Sequence, residues 1–146
     1  MPAVDLEGFE LHERVQFLAG RIMTVFPYAT FRPAGPTTAQ DLLELLKKTM
    51  TACQESRLTR VLVDITRLTH KPFTTIDRFQ FASGLAASWD RGIKLAIAGR
   101  EDQVDQEGFG VLVAKNRGLY VGVYTSEGEA LTWLLKGGPP KVPSPQ

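Results

Sequence analysis

Cysteine, histidine and net charge are all scarce in this sequence. One cysteine, Cys53, has no partner for an internal disulfide, which fits a reducing, cytoplasmic setting. Two histidines, His12 and His70, fall short of the ligands a metal site usually needs. No metal and no cofactor is expected. Seventeen basic against sixteen acidic residues give a net charge of +1. That is not the charge of a dedicated nucleic-acid binder. No stretch approaches the ~20 apolar residues of a transmembrane helix, so no membrane insertion is expected. The opening Met1-Pro2-Ala3-Val4-Asp5-Leu6-Glu7 lacks the basic region and apolar run of a signal peptide. There are no internal repeats. Gly99-Arg100 and Gly108-x-Gly110 do not have the spacing of a dinucleotide or phosphate-binding loop.

What is present reads as one globular domain. The chain has 146 residues, 43% of them hydrophobic and 23% charged, ordinary values for a packed soluble fold. An N-terminal extension is expected over 1–12, the domain over 13–136, and a flexible Pro/Gly-rich tail over 137–146. A hairpin is expected over roughly 13–32, with Gly20-Arg21 as its turn and Pro27 marking an edge or a break. Thr37 and Gln40 have capping-box spacing, and a helix should follow from about Thr38 to Ser56. Its apolar stripe is Leu42, Leu43, Leu45, Leu46, Met50 and Cys53. The run Val61–Ile65 reads as a strand covered on both faces.

A second helix is expected from about Thr74 to Asp90, capped by Thr74 with Asp77 and closed at Arg91-Gly92. Ile93–Ala98 is the next strand, followed by a helical segment over 103–116 weakened by Gly108 and Gly110. Leu119–Tyr124 is the last strand. The final helix starts at Ser126 with Glu129 as capping partner, and ends at Gly137-Gly138. The order β-β-α-β-α-β-α-β-α predicts an α/β fold. It has a mainly parallel mixed sheet of about five strands, about four helices, and an antiparallel edge strand from the hairpin. Ligands gather at the carboxyl ends of the strands in such sheets, here Asp64–Lys71, Gly99–Asp102 and Tyr124–Ser126.

Three segments carry a resemblance: Val61–Thr69, Ile93–Ala98 and Val123–Leu134. In element order and in these segments the chain resembles the STAS domain, the fold of bacterial anti-sigma-factor antagonists and of the cytoplasmic domains of sulfate transporters. It is most similar to the antagonist-like branch of small stand-alone bacterial proteins. The resemblance covers about 13–136 and implies a regulatory, protein-binding module without catalysis. The antagonists carry a phosphorylatable serine in an Asp-Ser-Ser-Gly turn at the start of the second helix. This sequence has Phe73-Thr74-Thr75-Ile76 there; the aspartate and glycine are absent, and threonine replaces serine. The branch is also likened to CRAL-TRIO lipid-binding domains, which implies a small apolar ligand as the alternative.

The candidate sites follow. Thr74 and Thr75 begin a helix, where free amides favour an anion, and His70, Lys71 and Arg78 are near enough in sequence to support one. The competing reading is that Thr74 only caps the helix. His70 has no evident nucleophile or orienting carboxylate beside it, so no catalytic residue is assigned. The second helix is apolar on more than one side. Phe73, Ile76, Phe79, Phe81, Leu85 and Trp89 are the expected surface for a protein partner, a second copy or an apolar ligand. Cys53 and Trp133 are expected in the core.

Overall fold

The computed structural model describes residues 8–18, 21–104 and 120–136. Five strands form one sheet in the order β1-β2-β4-β6-β7. These are β1 (Glu10–Leu18), β2 (Arg21–Phe31), β4 (Arg60–Asp64), β6 (Lys94–Ala98) and β7 (Val121–Tyr124). β1 runs antiparallel to β2, and the other neighbours are parallel. This is the expected mainly parallel mixed sheet with an antiparallel edge. Three helices are described: α1 (Ala39–Glu55), α2 (Thr75–Ser88) and α3 (Glu127–Leu134). None is long and apolar enough to cross a membrane. The helix expected over 103–116 lies almost wholly outside the described residues, as do the hairpin turn at Gly20 and the tail.

The hairpin differs from its expected form at both ends. β1 begins at Glu10 rather than near 13. Pro27 neither ends nor breaks β2; the strand runs through it. Opposite Glu13 stand both Phe26 and Pro27, because the register shifts between His12↔Tyr28 and Arg14↔Val25. Such a bulge leaves a residue unpaired and is where proline fits inside a strand. β4 meets β2 only over Ala29–Phe31, so Pro27 also has no strand on its other side.

The central strands are buried on both faces, and their side chains divide by alternation. Val61 and Val63 of β4, Leu95 and Ile97 of β6 and Val121 of β7 join Leu42, Leu46, Cys53 and Leu85 beneath α1 and α2. Leu62, Ala96 and Ala98 face the other way, with Ala130 and Leu134 of α3.

The helix ends show local chemistry at work. Thr38, not Thr37, caps α1: its hydroxyl accepts from the Asp41 amide at 3.1 Å, and the box expected with Gln40 does not form. α1 closes with Leu58 N–H on the Cys53 carbonyl and Arg57 N–H on that of Gln54, a Schellman arrangement. It places Arg57 at φ 57°, in the left-handed region. α2 ends earlier than expected. Its last carbonyls are not closed by a left-handed Gly92; Trp89 leaves the helix in extended conformation and bonds back to Leu85. Trp89 then anchors itself, its indole N–H donating to the Ile93 carbonyl at 2.9 Å.

A second, two-stranded sheet joins β3 (Gly35–Pro36) to β5 (Leu68–Thr69). Neither stretch was among the expected strands. Gly35 takes φ 104°, a conformation suited to glycine alone. This pairing holds the approach to α1 beside the approach to α2, at the carboxyl end of the main sheet.

Candidate functional site

Between the starts of α1 and α2 lies a cleft of about 820 Å³. Pro36–Gln40 form one wall, and Thr69–Phe73 with Asp77 and Gln80 the other. A second hollow lies behind it, an apolar cavity of about 100 Å³ between the two helices and the sheet. Phe73 and Phe81 line both hollows.

The residues expected to hold an anion are not gathered into one group. His70 and Lys71 line the cleft, whereas Arg78 lines the inner cavity. Thr74 is the cap of α2. Its hydroxyl accepts from the Asp77 amide, and the Asp77 carboxylate accepts from the Thr74 amide, each at 3.0 Å. An acidic side chain therefore already occupies this helix start. Thr75 follows, exposed at the first helical position.

His70 is half-buried, with its ring stacked on Phe73 at 4.3 Å. Its Nδ1 pairs with the Lys71 carbonyl at 2.8 Å, and its Nε2 faces the Gln103 amide at 3.3 Å. Among the described residues neither nitrogen meets a nucleophile or a carboxylate.

Of the apolar residues expected at the surface, the structure divides the set. Leu85 and Trp89 are core residues, 2% and 4% exposed. They lie on the stripe of α2 that covers the sheet. Phe73 and Phe81 are half-buried between the hollows. Ile76 and Phe79 stay outside, 68% and 45% exposed. Cys53 is fully buried, and burial pushes its thiol up to about 12.

One polar cluster was not foreseen. His12 lies on β1 beside Thr30, with Nε2 and Oγ1 2.8 Å apart, and stacks on Tyr28. Arg32 binds both carboxylate oxygens of Glu127, at the start of α3. Asp64 accepts from the Thr66 amide at 2.9 Å and its hydroxyl at 2.6 Å. Burial pushes the Asp64 carboxyl up, but hydrogen bonds with Thr66 and Glu127 and the charge of Arg32 outweigh it, and the pKa is lowered. The only sequence signal was that these residues end strands or start a helix. Thr30 is 3% exposed and this cluster lines neither hollow; its contacts tie β2, β4 and α3 together. Among the described residues no three of His, Cys, Asp and Glu gather to hold a metal ion.

No family model and no curated protein sequence matches the chain. A solved structure does. It is that of an uncharacterized protein from the DUF3478 family with a SpoIIAA-like fold, from Shewanella loihica PV-4. Identity is 18%, the match covers 86% of this chain and 94% of that one, and the TM-score is 0.39.

Proposed function

We propose that this protein is a non-catalytic interaction module whose working surface is the cleft and the first turns of α2. The observation that carries this reading is the pair Ile76 and Phe79. Both are large, apolar and exposed, one turn apart on a helix whose opposite side is committed to the core. Next to them the cleft offers polar groups from Thr38, Thr69, His70 and Lys71. An apolar anchor beside a polar rim is the usual anatomy of a protein-binding patch. The engagement of His70 by a carbonyl, an amide and a ring supports a role without acid–base chemistry.

Control by phosphate, on this reading, falls on Thr75. A phosphate on Thr74 would displace the Asp77 carboxylate or be repelled by it. Thr75 is exposed and lies between that cap and Ile76.

The test uses the full chain with Ile76→Asp, Phe79→Asp and Thr75→Glu. Sedimentation velocity over a range of concentrations reads self-association, and quantitative co-purification from host extract reads partners. The expected result is that the two aspartate variants fold but lose the association wild type shows, and that Thr75→Glu changes its strength. Association identical in all four proteins overturns the reading.

A second reading, a sensor of a small apolar ligand, has the inner cavity in its favour. Its volume suits a small molecule rather than a lipid chain.

A further inference from the structure

The inner cavity has an apolar body and, among the described residues, polar groups at its margin. Leu42 and Leu46 of α1, Leu85 of α2, Ile97 of β6 and Val121 of β7 supply most of its wall. Among the described residues lining it, Gln103 and Arg78 are the polar ones. The Gln103 amide is fully used. Its oxygen accepts from the Arg100 amide at 2.8 Å, and its nitrogen donates to the Ile65 carbonyl at 2.8 Å. Arg78 differs. Among the described residues its guanidinium makes no ion pair and no hydrogen bond.

A guanidinium keeps its charge throughout the physiological range, and its fork of N–H donors matches a carboxylate. An apolar hollow with one polar group to fix orientation is the usual form of a small-molecule site. We infer that the cavity binds a small monoanion with a short apolar tail, a short-chain carboxylate, tail inward and head on Arg78. This rests on the ligand-sensor reading and adds the chemical class.

Volume sets the tail. An apolar cavity of roughly 150 Å³ takes up benzene. A hollow of about 100 Å³ therefore holds about four carbon atoms by the same proportion. A long acyl chain does not fit. Among the described residues the lining carries one cation, Arg78, which matches one negative charge better than the two of a phosphate monoester. Phe73 and Phe81 form the wall towards the cleft, and His70 stacks on Phe73. A ligand reaching the cavity from the cleft would pass this pair.

The test is titration of the full chain, followed by NMR shifts and calorimetry, with 3-methylbutanoate, its neutral counterpart 3-methylbutan-1-ol, and hexadecanoate. The expected result is that 3-methylbutanoate binds at least about tenfold more tightly than the alcohol, with shifts at Leu85 and Val121. Hexadecanoate should bind no better than 3-methylbutanoate. In Arg78→Gln the preference for the carboxylate should disappear, and in Arg78→Lys part of it should remain. Equal binding of acid and alcohol by wild type overturns the anion inference and leaves an apolar cavity reading standing. Tighter binding of hexadecanoate overturns the size limit. Binding of none of the three overturns both the inference and the sensor reading. The wild-type comparison stands whether or not the Arg78 variants fold.

Discussion

Arg60 and Lys94 stand opposite one another on β4 and β6, both buried, and both reach the last turn of α3. Arg60 Nε donates to the Leu134 carbonyl at 2.9 Å. Lys94 Nζ donates to the Trp133 and Lys136 carbonyls at 2.6 and 3.2 Å, and lies 4.3 Å over the Trp133 ring. The end of a helix leaves carbonyls without partners and carries partial negative charge. Two interior cations satisfy it and fasten α3 to the sheet. Burial, and then the charge of Arg60, lower the pKa of Lys94. In Arg60→Met the Lys94 pKa should therefore rise, as read by NMR titration of its side chain. A Lys94 pKa that stays put or falls would contradict the proposed repulsion.

Removing Lys94 itself tests the fastening. Lys94→Met leaves two backbone carbonyls without this donor, and an unsatisfied buried polar group costs about 1–3 kcal/mol. Relief of the buried charge offsets part of that. The expected net effect is a loss of about 1 kcal/mol in urea unfolding. A variant as stable as wild type would mean that Lys94 does not help to fasten α3.

Arg57 offers a change in the opposite direction. It occupies the left-handed position that closes α1, where a side chain costs about 1–2 kcal/mol and glycine does not. Arg57→Gly should raise stability, by up to about 1 kcal/mol once glycine's greater freedom in the unfolded chain is counted. Denaturant midpoints measure this. A loss of stability would show that the Arg57 side chain holds α1 in some other way.

Asp64 predicts an acid dependence. Its folded pKa is lowered, through Thr66, Glu127 and Arg32 acting against burial. Its contribution is thus complete above the unfolded value of about 3.9 and is lost as pH falls through the lower folded value. Melting temperature should fall below about pH 4, and less steeply in Asp64→Asn, which keeps an acceptor for Thr66. Identical slopes in both proteins would remove Asp64 from the account.

Cys53 gives a simple check on the core. A fully buried thiol whose pKa is raised to about 12 presents almost no thiolate at about pH 8. Alkylation of the native protein should be slow, and rapid once urea unfolds it. Fast labelling of the native chain would mean that the seat of α1 opens readily.

The sheet and helices were legible because their signals are local. The nearly continuous apolar run Val61–Ile65 marked a strand covered on both sides, and the Thr74–Asp77 and Ser126–Glu129 spacings located two helix starts that the structure forms. Thr37–Gln40 has the same spacing, yet Thr38 takes the cap, since neighbouring hydroxyls compete and only backbone direction decides. Pro27 reads as a breaker until the bulge opposite Glu13 is known. Nothing local in the sequence reveals that a helix end from 127–134 will bury Arg60 and Lys94. For the candidate site, adjacency in sequence grouped Arg78 with Lys71, but helical geometry sends Arg78 to the cavity and leaves Lys71 at the cleft. The surplus apolar surface of α2 was visible. Which part of it is core, Leu85 and Trp89, and which is exposed, Ile76 and Phe79, depends on where α1 and the sheet lie.

The central claim is that association runs through the start of α2 and its cleft. Lysine-directed cross-linking of the protein in its own cells, read by mass spectrometry, tests this most directly. Lys71 lines the cleft, whereas Lys48 lies exposed on α1 and Lys136 beyond the end of α3. The account predicts that intermolecular cross-links concentrate at Lys71 and weaken in Ile76→Asp. Cross-links concentrated at Lys48 or Lys136, unchanged by that substitution, would contradict it.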